Sequence, residues 1–137
     1  MTQLIKKKIS TPRGNSSEVT YTLKSGKTAV VILLEDPNFP EVLMEVYSGK
    51  SIQPDRFWEV RSLLGHINSK KHQLWFEILF DGRYCLKSFV NDHAEVEKRI
   101  KRMAEFFALF SPHIEKVANG SMDVFDVWTE LQVLGLI

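Results

Sequence analysis

The sequence predicts an α+β fold, with an antiparallel sheet of four or five strands packed against a mid-chain helix and a C-terminal helical region. Three observations carry this reading. Between residues 18 and 34 the apolar residues either alternate or form an unbroken β-branched run, as strands do. A second pair of such runs flanks Asp81-Gly82-Arg83, a hairpin turn. From 54 to 68, and again beyond 92, the spacing changes to the threes and fours of an amphipathic helix.

Taken in order, residues 1–16 carry Lys6, Lys7 and Lys8 and then the breaker-rich Ser10-Thr11-Pro12-Arg13-Gly14-Asn15-Ser16. They read as a basic, flexible arm ahead of a single α+β domain over 17–137. Val19, Tyr21 and Leu23 share one face of a first strand, and Ser25-Gly26 turns it into a second. That second strand, 28–34, has no polar alternation, which suggests a central strand covered on both faces. Asp36-Pro37-Asn38-Phe39-Pro40 ends it, because two prolines remove backbone donors. For 41–47 both a short helix and a strand using Val42, Met44 and Val46 fit, and the strand is preferred.

Phe57, Val60, Leu64 and Ile67 define a helix over 54–68, with Trp58 and Leu63 widening its apolar side. Residues 74–80 and 84–90 then make the clearest hairpin. Asp92, with Glu95 three residues later, has the form of a capping box opening a long helix. Its stripe is Val96, Ile100, Met103, Phe107 and Phe110, and Ser111-Pro112 is expected to kink or restart it before Ile114 and Val117. Asn119-Gly120 ends it, and a last helix places Val124, Val127, Trp128 and Leu131 on one side.

Composition narrows the functional classes. Apolar residues at 44% and charged residues at 26% are those of an ordinary globular chain, so neither disorder nor a membrane origin is suggested. A chain of 137 residues buries roughly two thirds of its unfolded surface, enough for a core without staples. The net charge of +1 generates no whole-molecule field for nucleic acid or lipid, so a charged partner must meet a local patch. One cysteine, Cys85, supports neither an intrachain disulfide nor a multi-cysteine zinc site. With basic residues following Leu4-Ile5, the reverse of a secretory signal, this points to the cytoplasm.

No catalytic constellation is visible, and no cofactor or metal is expected. His66, His72, His93 and His113 contain no helical ligand pair. Ser25-Gly26-Lys27-Thr28 lacks the upstream glycine of a phosphate loop. Cys85 reads as a small buried hydrophobe. Glu77 and Asp81, with Lys87, Cys85 or His93, would have to converge in space to form a small metal-dependent hydrolase or nuclease. Basic residues Lys6, Lys7, Lys8, Arg13, Arg99 and Arg102 would serve a nucleic-acid-binding protein if they shared one surface.

The aromatic load favours a third class. Nine Phe, three Trp and three Tyr cannot all face one core, and Trp75 and Phe76, being adjacent in a strand, point to opposite sides. The leading expectation is therefore a non-catalytic protein-binding or regulatory module that contacts another protein or its own copy. Its interface candidates are Trp58, Trp75, Phe76 and Phe106.

Overall fold

The computed structural model describes residues 4–11, 14–36, 38, 40–70 and 73–137. Arg13 and His72 lie outside these residues. Six strands, β1 (Leu4–Thr11), β2 (Gly14–Thr22), β3 (Thr28–Glu35), β4 (Val42–Tyr47), β5 (Trp75–Ile78) and β6 (Tyr84–Val90), form one antiparallel sheet in the order β1-β2-β3-β4-β6-β5. Three helices accompany it: α1 (Phe57–Asn68), α2 (Val96–Ala118) and α3 (Val124–Val133), the first two each preceded by one 3-10 turn. The α+β class stands, with one or two strands more than expected. No helix among the described residues is long and apolar enough to cross a membrane.

The additional strand is β1. Leu4–Thr11, read as part of a flexible arm, pairs along its length with β2, from Leu4 opposite Tyr21 to Thr11 opposite Gly14. Charge obscured it: three consecutive lysines remove the hydrophobic alternation by which a strand is recognised, while backbone pairing needs no apolar side chain. The chain divides into two compact units, one made of Met1–Tyr47 and Leu86–Ala108, the other of Ser48–Cys85 and Leu109–Ile137.

In the first unit, register places Val19 opposite Val31 and Leu33 opposite Met44, so these buried side chains share one face. On β6, Leu86, Ser88 and Val90 are buried together. The Arg99 guanidinium of α2 donates from Nη1 to Ser88 Oγ (2.5 Å) and to the Phe89 carbonyl (3.2 Å), and Ile100, Met103 and Ala104 of the same helix are buried. The opposite face is not closed. Val30 is exposed and Ile32 and Leu34 are half-buried, so β3 is an inner strand buried on one side only, not both. Its apolar run marks a half-wetted face that is nonetheless hydrophobic.

In the second unit, α1 buries Val60, Leu63, Leu64 and Ile67 and packs on β5 and α3. Arg56, in the turn before α1, donates to the carbonyls of Val117 (3.0 Å), in the last turn of α2, and Met122 (3.4 Å), beyond its end, tying the start of α1 to the α2–α3 connection. Gly120, with a φ of 78°, lets the chain reverse there. Asp123 caps α3 by accepting from the Asp126 N–H at 2.9 Å. Lys116 and His113 of α2 both bond Glu130 Oε1 of α3, at 2.6 and 2.5 Å. Asn68 at the end of α1 bonds both backbone groups of Phe76, accepting from its N–H (2.7 Å) and donating to its carbonyl (2.9 Å).

Pro112 lies inside α2, which runs through it without the restart that was one of the two expectations. Ala108, whose carbonyl the proline cannot bond, lies on the exposed side with Pro112 itself. Phe110, Ile114 and Val117 are buried on both sides of it, and that packing outweighs a helix-breaking cost of about 3 kcal/mol.

Candidate protein-binding groove

Helix α1 presents Trp58, Ser62 and His66 at intervals of four, on one face, and α3 brings Val124, Phe125 and Trp128 beside them. Together with Glu59 they line an open, mostly apolar groove of about 380 Å³. Its two outermost walls are barely covered by the fold: Trp58 is 70% exposed and Phe125 81% exposed. Trp128 is held more firmly, with the His66 ring 4.7 Å from its own and the Lys70 ammonium 5.9 Å from its centroid. The Phe57 ring meets Trp58 edge to face at 5.4 Å, and the Arg61 guanidinium lies 5.4 Å from the Trp58 centroid. Such edge-to-face and cation contacts orient the indoles without burying them.

Glu59 is the acidic member of a lining that also holds Ser62 and His66. Its Oε2 is buried and has no hydrogen-bond partner among the described residues. A carboxylate oxygen removed from water with no donor is a deficit that folded proteins seldom leave. At this position it concerns a group already lining a cleft.

A second hydrophobic surface lies in the first unit. Register places Ile5, Thr20 and Val30 in line on the open sheet face, with Ile5 and Val30 exposed. Glu45 stands opposite Ile32 on that face but is only 1% exposed. Its carboxylate accepts from the Tyr47 hydroxyl at 2.6 Å and lies 3.6 Å from the Lys87 ammonium. Phe89, two residues beyond Lys87, is exposed on the same side.

Of the four interface candidates, Trp58 alone stands at the groove. Phe76 is 3% exposed, its ring 6.1 Å from that of Tyr84, and it belongs to the core. Adjacent strand residues do point to opposite faces, but it is Phe76 that faces the core and Trp75 that is half-buried, its indole N–H donating to Glu77 at 2.9 Å. Phe106 is half-buried on α2. Phe125, Phe80 and Phe89, none of them singled out in the sequence, are exposed. Phe125 falls off the stripe of Val124, Val127 and Leu131, which was the available signal.

The basic candidates are dispersed in role. Lys6, Lys7 and Lys8 lie in β1. Arg99 is committed to Ser88 and Phe89, and Arg102 is exposed on α2. Glu77 is bonded by Trp75, and Cys85 is fully buried. The Arg83 backbone N–H, then its guanidinium at 2.8 Å, hold the Asp81 carboxyl below the usual range, as befits a turn residue. His93 is exposed in the turn before α2. Among the described residues no group of three or more His, Cys, Asp or Glu is arranged to hold a metal ion. Comparison with protein-family models, with curated proteins and with solved structures finds no match.

Proposed function

We propose that this protein is a non-catalytic binding module that docks a segment of another protein in the groove between α1 and α3. The observation that carries the reading is the exposure of Trp58 and Phe125 on the two walls of one apolar cleft. Large aromatic side chains contribute most of the energy at protein interfaces when a partner desolvates them, and solvated they contribute nothing to their own fold. The test is a photo-crosslinking residue placed at position 125, with position 24, an exposed site in the β2–β3 turn, as control. A discrete adduct from 125 that Trp58→Ala abolishes supports the reading. Equal labelling from both positions would sink it.

A second reading, self-association through the open sheet face, is favoured by the exposure of Ile5, Val30 and Phe89 in one surface. Sheets stack face to face at such surfaces. Light scattering coupled to gel filtration separates the two readings: a dimer that Val30→Glu dissociates belongs to the sheet, and a monomer insensitive to that change leaves the groove as the docking site.

A further inference from the structure

We infer that the segment docked in the groove presents a lysine or arginine side chain whose cation is received by Glu59. This rests on the groove reading above and gives it a chemistry. The walls are aromatic, the groove is mostly apolar, and one of its lining groups is a carboxylate whose Oε2 is buried without a donor among the described residues.

Consider the possible occupants in turn. A leucine or phenylalanine would fill the apolar part of the groove but would complete the desolvation of Glu59 and bring it no hydrogen bond. An acidic side chain would add repulsion to the same deficit. A neutral amide would supply a donor but no opposite charge. A lysine or arginine lays an aliphatic stem along Trp58, Phe125 and Trp128 and ends in the donors the carboxylate lacks. Glu59 is half-buried and lines the cleft, so its side chain is within reach of an occupant.

The aromatic walls already accept cations from the chain itself, with Arg61 beside Trp58 and Lys70 beside Trp128. Those two charges oppose a third, and at 5.4 and 5.9 Å from the indole centroids they lie inside the screening length of about 8 Å, so the preference for a cation is smaller than Glu59 alone would give. Arginine has the further advantage of a planar head that stacks on an indole while its edge bonds a carboxylate.

The experiment uses the full chain, labelled with nitrogen-15, and four seven-residue peptides that differ only in a central arginine, glutamine, leucine or glutamate. The three indole N–H signals are the readout. Trp58 and Trp128 line the groove, and Trp75, whose indole N–H is bonded to Glu77, is the internal control. Expected is movement of the Trp58 and Trp128 signals with the arginine peptide, at least about tenfold tighter than with leucine. Glu59→Gln removes that preference while Trp75 stays in place, which shows that the variant is folded. Equal affinity for the leucine and arginine peptides, or a preference that survives Glu59→Gln, overturns the inference and leaves the groove as a docking site. Failure of every peptide to move Trp58 overturns both. Movement of Trp58 with protein concentration alone assigns the groove to a second copy and likewise overturns it.

Discussion

Glu45 in the sheet and Glu59 in the groove are both carboxylates set beside hydrophobic surface that the fold leaves open, and the chain treats them differently. Glu45 is the more deeply buried of the two, yet it is answered from within by Tyr47 on its own strand and Lys87 on the adjacent one. Glu59 has an oxygen closed off from water and no donor from any described residue. Breaking a buried charge pair from within the chain is costly, whereas a buried oxygen without a donor is a deficit that folded proteins seldom leave. The two surfaces are thus not equivalent, although both look like patches of exposed aromatic and aliphatic side chains. What separates them is the accounting of hydrogen bonds.

That contrast can be broken by substitution, and the largest effect should come from the sheet. Lys87→Met removes a cation from beside the buried Glu45 carboxylate, and urea unfolding should show a loss of about 3 kcal/mol. Tyr84→Phe extends the contrast to a third carboxylate, Glu115, which accepts from the Tyr84 hydroxyl at 2.8 Å while Ser111 lies 3.0 Å away. Its loss should cost about 1.5 kcal/mol at neutral pH.

The same substitution carries a pH signature. Burial pushes the Tyr84 hydroxyl well above the ordinary value of 10.0, with Glu115 adding to the rise and Ser111 opposing it. The folded state therefore holds this proton more tightly than the unfolded chain, so the stabilisation is complete below about pH 10 and declines as the pH rises past it. Thermal melts of Tyr84→Phe should show a flatter alkaline limb than the parent.

Glu59→Gln should move stability the other way, upward by about 1 kcal/mol, because it removes a charge whose Oε2 is buried without a donor among the described residues. A loss instead would mean that Glu59 has a partner and that the contrast with Glu45 is false. The smallest effect belongs to the wall of the groove. Trp58→Ala should change unfolding free energy by less than about 0.5 kcal/mol, since the side chain is largely solvated, while abolishing the crosslink from position 125.

Much of this architecture could be read from local pattern. Gly26 and Gly82 stand at φ values of 87° and 86° in the two hairpin turns, where their sequence context had placed turns, and Val42–Tyr47 is the strand that was preferred to a helix. The failures share a physical origin. The lysines of β1 hid a strand whose stability comes from backbone pairing, and Pro112 sits in a helix whose packing overrides a local preference. Period-two alternation said that Trp75 and Phe76 part company but not which of them the core would take, since that depends on what lies over each face. Trp58 was legible because it widened a helical stripe beyond what one core face needs. Glu59 was not, because the absence of a partner is a property of space and leaves no trace in spacing.

The clamp of Asn68 on Phe76 has a consequence for how the protein behaves in a crowded solution. Strand β5 ends the sheet, and the outward backbone groups of a terminal strand are a template on which another chain can extend the ladder. By offering its own amide to both groups of Phe76, Asn68 imitates the peptide of a neighbouring strand and fills one rung in advance. Growth of the sheet into fibrillar aggregates is obstructed at that end, and association through this edge requires α1 to let go first.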